Sequence, residues 1–390
     1  MRRDAARADA RAAGLDGLLV WSMGGSTLDR YANVFYLTNH YDPGNVYPDV
    51  PPYFTGFGQA TVVLPVDGPA ILVVNQPDWR DDLVECDEVR VSRDLYAGAV
   101  RAVRDSGLER GRLGLTDEER TSVTAYKELV KGLPGATLER ADELLMRRRR
   151  VKSPAELEML RYASAVSVEM MNAMMETAAV EGRTDGDVAA AAYGVACRLG
   201  AQPYDFAMAS GPEDGHLWWS RLPSWNWRRP YEKGDIVHPD IYGAVDGYYY
   251  DFVRSTVVGR EPTDAQLEIL EGAIGCIHAA CRAARAGRRA CDVHAAGKAH
   301  LRERDLGDEI DAADRPDDVA AESFGHGIGV GWDLPTITPL DETVLEPGMT
   351  LAIEHAVTRP GAGTARYEET VIVTDGEPEI MTAGCKARWW

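Results

Sequence analysis

The chain has 390 residues, 45% hydrophobic and 27% charged, which are ordinary proportions for a globular protein of about two domains. Its 62 acidic and 42 basic side chains give a net charge of −20, which excludes nucleic acid and anionic membrane surfaces as partners, because like charges repel. No apolar run approaches the roughly 18 residues of a membrane span, and no apolar signal sequence follows Met1, so we expect a cytoplasmic protein.

Residues 1–145 alternate between helix and strand patterns, which predicts a small α/β domain. Two of the apolar runs flank a Pro-Val-Asp-Gly turn and therefore predict a β-hairpin. The elements predicted in chain order are a helix at 4–13, a strand at 17–21, a hairpin of 60–64 with 70–74, and a helix at 117–131.

A basic segment, residues 147–152, marks the predicted boundary to a second domain, and we interpret it as a solvated connection rather than a nucleic-acid contact. Ser153 and Glu156 have the spacing of a capping box and predict the start of a long helix. Thr184 and Thr263 begin two more helices in a similar way.

Residues typical of β-strands dominate residues 234–258 and 349–375. With the helices that precede and separate them, these segments predict helices packed on an antiparallel sheet, an α+β arrangement.

Two aspartates lie on the first pair of predicted strands. Asp240 and Asp251 flank a turn that contains Asp246-Gly247, a favoured hairpin dipeptide, so they could face each other across paired strands. Two ionised carboxylates at that range repel each other by about 4 kcal/mol at an effective dielectric near 20. A positive charge is therefore expected between them.

Later segments add further polar residues of the same kind. His326 lies in a glycine-rich bend, and Glu354 ends an apolar strand. Glu368 lies inside another strand, where it shares a face with Arg366 while Glu369 points to the other face. A carboxylate inside an apolar strand needs a partner, because an unpaired buried charge is costly.

These segments resemble the pita-bread metallohydrolases, a family that includes aminopeptidase P, prolidase and creatinase. The resemblance covers most of the chain, and the eleven-residue spacing of the two aspartates is that of the family. It implies a creatinase-like α/β domain at 1–145 and a pita-bread domain at 146–390. The segments that carry it are 150–156, 234–255, 325–329, 345–354 and 366–368.

The resemblance implies a set of metal ligands and a chemistry. Two divalent ions, which could be manganese, cobalt, iron or zinc, would balance the charge of four carboxylates and share a hydroxide. The implied reaction is hydrolysis of a C–N bond in a small amide or short peptide of the Xaa-Pro type, by a homodimeric enzyme. The implied ligands are Asp240, Asp251, His326, Glu354 and Glu368.

The chain departs from the family at the residues around the site. Peptidases of the family carry a second histidine seven residues after the first, and Asp333 stands at that position here. Val253 and His355 replace a threonine and a proline of the family. An aspartate can only accept hydrogen bonds when ionised, so Asp333 is expected to suit a substrate that presents a donor or a positive charge.

Further candidate residues surround the predicted ligands. His216 follows a Ser-Gly element and is a candidate for proton transfer or substrate binding, the alternative being an exposed loop histidine. The segment after it, residues 217–229, has four tryptophans and three arginines and is either a substrate lid or a packed loop. The candidate substrate-binding residues are Trp218, Trp219, Arg221, His238 and Arg366.

Three functions remain open at this level. The first is an Xaa-Pro-like metallohydrolase, and the second is a non-peptidase on the same scaffold, such as a creatinase-like amidinohydrolase or a lyase acting on a small cationic or donor-rich molecule. The third is a binding module that has lost catalysis, although such proteins usually lose ligands and this chain keeps all five.

Overall fold

The chain divides into two units, Met1–Arg149 and Arg150–Trp390, and the sequence-based boundary lies four residues before this division. The structure is a computed structural model. It describes residues 1–23, 31–42, 47–211, 223–306 and 323–390.

The first unit contains a mixed six-stranded sheet with the strand order β4-β3-β2-β1-β5-β6. The predicted hairpin is present as the antiparallel pair β2 and β3, whereas β5 and β6 run parallel to β1. The strands are β1 (Gly17–Met23), β2 (Gln59–Pro65), β3 (Ile71–Val74), β4 (Glu88–Val91), β5 (Arg112–Thr116) and β6 (Thr137–Arg140). The helices are α1 (Arg2–Ala12), α2 (Ala32–Thr38), α3 (Leu95–Asp105), α4 (Val123–Gly132) and α5 (Asp142–Arg150).

Helix α4 begins six residues later than the sequence pattern predicts. Asp117, with a positive φ of 59°, precedes a short 3-10 helix, Glu118–Arg120, which ends at Thr121 in an extended conformation, so an α-helix cannot run through these residues. The side chain of Ser122 caps α4 instead, by accepting a hydrogen bond from the amide of Ala125 at 3.1 Å.

The second unit contains two antiparallel sheets with helices packed against them, which confirms the predicted α+β class. In the first sheet β8 pairs with β7, β9 and β10; the second has the order β12-β11-β13-β14-β15. The first sheet consists of β7 (Ala201–Ser210), β8 (Ile236–Val245), β9 (Tyr248–Val253) and β10 (Thr256–Val257). The second consists of β11 (Gly325–Ile328), β12 (Trp332–Thr336), β13 (Thr350–Arg359), β14 (Gly363–Ile372) and β15 (Glu379–Ile380).

The helices of the second unit begin where their caps predict. Ser153, Thr184 and Thr263 each form a capping box with the residue three positions later. Helix α8 packs on β13 and β14, and together they bury a core of aliphatic side chains. The helices are α6 (Pro154–Ala178), α7 (Asp185–Leu199), α8 (Asp264–Ala283) and α9 (Ala290–Glu303). Among the described residues, no helix is both long enough and apolar enough to span a bilayer.

Candidate metal centre

The β8–β9 hairpin brings the two predicted aspartate ligands to one face of the first sheet. Asp246 and Gly247 form a two-residue turn with φ values of 48° and 84°, as a tight hairpin turn requires. Asp251 pairs with Tyr242, which lies two residues beyond Asp240 on β8. The aspartates are therefore diagonal neighbours rather than direct partners, and they share a face because side chains alternate along a strand.

The second sheet brings its three predicted ligands to one face in the same manner. His326 on β11 pairs with Ala352 on β13, two residues before Glu354. Glu354 pairs directly with Glu368 on β14. Paired residues point to the same side of a sheet, so all three ligand side chains lie on one face.

The two faces contribute to a single buried cluster. Carboxylate oxygens of Asp240, Asp251 and Glu368 all lie within 4.8 Å of one another, and all three residues are buried. The Nε2 atom of His326 lies 3.4 Å from Oδ2 of Asp251. The structure thus joins four of the five predicted ligands by direct proximity.

The fifth ligand, Glu354, is joined to the cluster through Arg366. One guanidinium nitrogen of Arg366 lies 2.6 Å from Oε2 of Glu354, and another lies 3.3 Å from Oδ2 of Asp240. Arg366 was a candidate substrate-binding residue, and its guanidinium bridges two predicted ligands. A charge held in this way fixes the orientation of both carboxylates.

The cluster has an excess of negative charge in a buried place. Burial raises the pKa of Asp240 well above its usual range, and the charge of Asp251 raises it further. Burial has the same effect on the pKa of Glu368, with Asp251 and Glu354 adding to it. For His326, burial lowers the pKa, but the hydrogen bond to Asp251 and its charge outweigh this and raise it. All three shifts favour protonation, as expected where the buried negative charge exceeds the positive charge of Arg366.

The unpaired atoms of the cluster fit divalent cations. Within the described part of the chain, neither carboxylate oxygen of Glu368 has a hydrogen-bond partner, and Oδ1 of Asp240 has none. Buried carboxylate oxygens without a donor are rare because their desolvation is costly. Oxygen-rich ligation with one imidazole suits manganese, cobalt, iron or zinc.

Glu369, the neighbour of Glu368, is surrounded by hydrogen-bond donors. Glu369 lies on the other face of β14 and binds Arg254 at 2.9 Å, the hydroxyl of Tyr367 at 2.5 Å, and the hydroxyl of Thr382. Arg254 is fully buried and also donates to the backbone carbonyl of Glu368. Glu369 is therefore part of a structural network, and Glu368 is left to the cluster.

Two hydroxyls tie the ligand-bearing strands of the two sheets together. The Oγ atom of Ser255 donates to the carbonyl of Arg366 and accepts from its amide, both at 2.8 Å. The hydroxyl of Thr370 donates to the carbonyl of Asp251 at 3.1 Å. We call these two residues the inter-sheet clamp, because each fixes the backbone beside a predicted ligand.

Asp333 is not among the side chains that the structure brings to the cluster. It pairs with Gly327, the residue after His326, and so faces the opposite side of the sheet. Its carboxylate lies 3.1 Å from Nζ of Lys152, and the two side chains are 3% and 2% exposed. The family spacing led us to expect a substrate contact, whereas the structure gives this carboxylate a buried lysine.

Trp332 of β12 lies on the face of the second sheet that carries the ligands. It pairs with Ile328, two residues after His326, and its ring centroid lies 5.5 Å from that of His326. Its ring also lies 5.7 Å from the ring of Tyr242 on β8. Neither aromatic is among the site residues expected from the sequence, although Tyr242 follows Asp240 by two residues, a spacing that predicts a shared face.

The remaining candidates divide into described and undescribed residues. His238 is 1% exposed and, by strand alternation, shares the face of Asp240. His355 lies on the opposite face of β13 from Glu354 and stacks on Phe324 with centroids 4.0 Å apart, which indicates a structural role. Four candidates lie outside the described residues, namely His216, Trp218, Trp219 and Arg221.

Comparison with known proteins agrees with this geometry. Residues 158–375 match the model of metallopeptidase family M24, and residues 2–151 match the creatinase/prolidase N-terminal domain. The chain is similar to the prolidase structure from Pyrococcus horikoshii, with a TM-score of 0.79, 21% identity, and coverage of 98% of this chain and 97% of that one. The likeness confirms the expected fold.

Two curated relatives have different named activities. A Xaa-Pro dipeptidase from Pyrococcus furiosus is 29% identical over 245 residues, which span 62% of this chain and 65% of that protein. A creatinase from a Bacillus species is 26% identical over 311 residues, which span 74% of this chain and 71% of that protein. The similarity therefore extends to proteins that are named for peptide and for non-peptide substrates.

Proposed function

The chain belongs to metallopeptidase family M24, and we propose that it hydrolyses the peptide bond of a small substrate of the Xaa-Pro type, using two divalent metal ions. The observation that carries the proposal is the buried cluster of Asp240, Asp251 and Glu368, whose oxygens lie within 4.8 Å of one another. The donor set fits divalent cations because its buried oxygens have no protein donors among the described residues.

Side chains of this chain would orient the metal ligands. Bound ions would acidify a water molecule and polarise the substrate carbonyl, as paired metals do in hydrolases. His326 presents Nε2 to the cluster while its Nδ1 lies 3.0 Å from the carbonyl of Gly327, a contact that fixes the ring orientation. Arg366 holds Glu354 and Asp240, so their lone pairs stay directed at the centre.

A second candidate is hydrolysis of a non-peptide C–N bond, and one observation favours it. Trp332 lies on the face of β12 that is turned to the cluster, while Asp333, at the position of the second histidine of the family's peptidases, points to the other face, so this strand supplies an indole and no histidine. An indole N–H donates a hydrogen bond but neither accepts nor transfers a proton near neutral pH. A peptidase that relies on that histidine for proton transfer would be weakened by its absence, typically by about 10²–10⁴ in rate.

Metal analysis and a substrate panel test the two candidates. The purified protein is reconstituted with manganese, its bound metal is measured by elemental analysis, and Xaa-Pro dipeptides are compared with creatine and other small C–N compounds. We expect about two ions per chain and measurable dipeptide hydrolysis, both lost in Glu368→Gln. Metal binding with activity confined to the non-peptides would select the second candidate. Persistent lack of metal would overturn both.

We also propose a homodimer, which the family resemblance implies, and a cytoplasmic location, which the apolar pattern of the sequence led us to expect. The net charge of −20 supports a protein that keeps away from anionic surfaces. Size-exclusion chromatography with light scattering tests the dimer, and fractionation of the native cell tests the location.

A further inference from the structure

Two aromatic rings lie at the exposed side of the metal-ligand cluster. Trp332 is 48% exposed, although its ring is 5.5 Å from that of the ligand His326. The ring of Tyr242 lies 5.7 Å from that of Trp332, with 48° between the planes. Tyr242 comes from the first sheet and Trp332 from the second, so each sheet contributes one ring beside its ligands.

Because side chains alternate along a strand, both rings lie on the sheet faces that carry the predicted metal ligands. Tyr242 is paired with Asp251 and lies two residues after Asp240, so it shares the face of both aspartates. Trp332 shares the face of His326 because its partner Ile328 does. Lys152 binds the carboxylate of Asp333 on the opposite face, which holds the strand in this register.

We propose that Trp332 and Tyr242 form an aromatic subsite for an N-alkyl group of the substrate, attached to the nitrogen of the C–N bond that is cleaved. This inference rests on the proposed function and names its substrate class, an amide or related compound whose scissile nitrogen carries a saturated carbon. The class includes both a ring, as in proline, and a methyl group, as in N-methylglycine.

The chemistry of the rings selects this group. The faces of indole and phenol are electron-rich and attract cations and polarised C–H groups. Carbons bonded to an amide or ammonium nitrogen carry the most positively polarised hydrogens of such a substrate. Groups on the scissile nitrogen would lie within a few bond lengths of the metal ligands during hydrolysis, and the two rings lie beside His326 and the aspartates. Covering Trp332 would also remove exposed apolar area from water.

A binding experiment tests the subsite without requiring turnover. The full-length, manganese-loaded protein is titrated calorimetrically with L-proline, N-methylglycine and glycine, which share a carboxylate and differ in N-alkylation. We expect both N-alkyl compounds to bind about fivefold more tightly than glycine, the factor expected of one such aromatic contact. Trp332→Ala should remove this preference, and Tyr242→Leu should reduce it.

Tyr162→Ala is the matched control, because Tyr162 is also 48% exposed but lies on α6. It should keep the preference, and manganese content should stay unchanged in all three variants. Tighter binding of proline would indicate a ring and tighter binding of N-methylglycine a methyl group, and either supports the subsite. The subsite would be overturned if glycine bound as tightly as the two N-alkyl compounds, or if Tyr162→Ala lost the preference as much as Trp332→Ala. Absence of manganese or of any C–N hydrolysis would instead count against the proposed function.

Discussion

Two adjacent glutamates show how strongly the surroundings of a residue decide its role. Glu368 has no hydrogen-bond partner among the described residues, and Glu369 binds a fully buried arginine and two hydroxyls. Both side chains are nearly inaccessible, at 0% and 4% exposure, so burial does not distinguish them. The difference lies in the face of the strand and in what the neighbouring strands supply.

Substitution of each glutamate should therefore have a different effect. Glu368→Gln should lose bound metal while leaving the metal-free protein at least as stable, because it removes one of several repelling charges. Glu369→Gln should keep metal but lower the free energy of unfolding by about 3–5 kcal/mol, because the charge of Arg254 is left buried and unpaired. Elemental analysis and denaturant unfolding of the metal-free proteins measure the two effects. Loss of metal in Glu369→Gln alone would show that the strand register is wrong.

The buried pair of Lys152 and Asp333 makes a second prediction at this scale. Asp333→Leu should destabilise the protein by about 3–5 kcal/mol, because a buried ammonium loses its partner. The double variant Lys152→Met/Asp333→Leu should recover most of that loss, since replacing a whole buried pair by apolar side chains is often close to neutral. Denaturant unfolding curves provide the measurement. Equal stability of the single and double variants would mean that the pair carries little coupling.

The contrast between Asp333 and the five ligands shows what strand patterns can predict. Alternation along β8, β13 and β14 assigns the faces of Asp240, Glu354 and Glu368 from sequence alone, because those ladders are regular. Between β11 and β12 the register shifts after His326, leaving two residues of β12 without partners. The family spacing of seven residues from His326 pointed to Asp333, but Asp333 pairs with Gly327, and its neighbour Trp332 lies on the face of His326 instead.

At the scale of elements, the inter-sheet clamp sets the distance between ligands that come from different sheets. Ser255 follows β9 and holds both backbone groups of Arg366, which lies two residues before Glu368. The inter-sheet clamp should affect metal binding more than overall folding. Each sheet is already held together by its own backbone hydrogen bonds, so the clamp mainly sets the position of one ligand-bearing strand relative to the other.

The neighbouring residue supplies a matched comparison for this idea. Ser255→Ala and Thr256→Val each remove one buried hydroxyl that bonds a backbone carbonyl, but Thr256 bonds Trp389, away from the ligand strands. Each should cost about 1 kcal/mol of stability. Only Ser255→Ala should also weaken manganese affinity, by on the order of tenfold, as loss of a residue that orients metal ligands typically does. Titration of manganese into the metal-free variants is the measurement, and equal affinities would exclude a positioning role.

Local elements were easier to predict than their assembly. The three capping boxes lie where the sequence places them, because a cap involves residues only three positions apart. The inter-sheet clamp joins residues 111 and 119 positions apart, and no local pattern indicates such a pairing. The same limit explains why Arg254 and Trp332 were missed, whereas the spacing of two residues from Asp240 could have indicated Tyr242.

At the scale of the whole molecule, the acidic balance connects stability with metal. Four carboxylates of a chain with net charge −20 converge on one buried site, so the metal-free protein carries a repulsion that bound cations would relieve. A ligand that binds only the folded state at a hundred times its dissociation constant adds about 2.7 kcal/mol of stability.

Metal removal should therefore lower the melting temperature. For a unit of this size, 2.7 kcal/mol corresponds to roughly 5–10 °C. Scanning calorimetry with manganese and with chelator is the measurement, and Glu368→Gln should show a much smaller difference than the wild type. A protein that binds metal, loses it to the chelator by elemental analysis and still melts at the same temperature would contradict this linkage.

The tight hairpin between β8 and β9 limits how this segment can change in length. With a two-residue turn, Asp240 and Asp251 share a face because an odd number separates their positions. Deleting a single residue of β8 between the two aspartates, such as Gly243, would turn Asp240 to the other face of the sheet, although both aspartates would remain in the sequence. Single-residue insertions and deletions in this strand should thus be tolerated far less than substitutions. Evolution of this segment is therefore constrained in length, by the number of residues between Asp240 and Asp251, as well as in residue type.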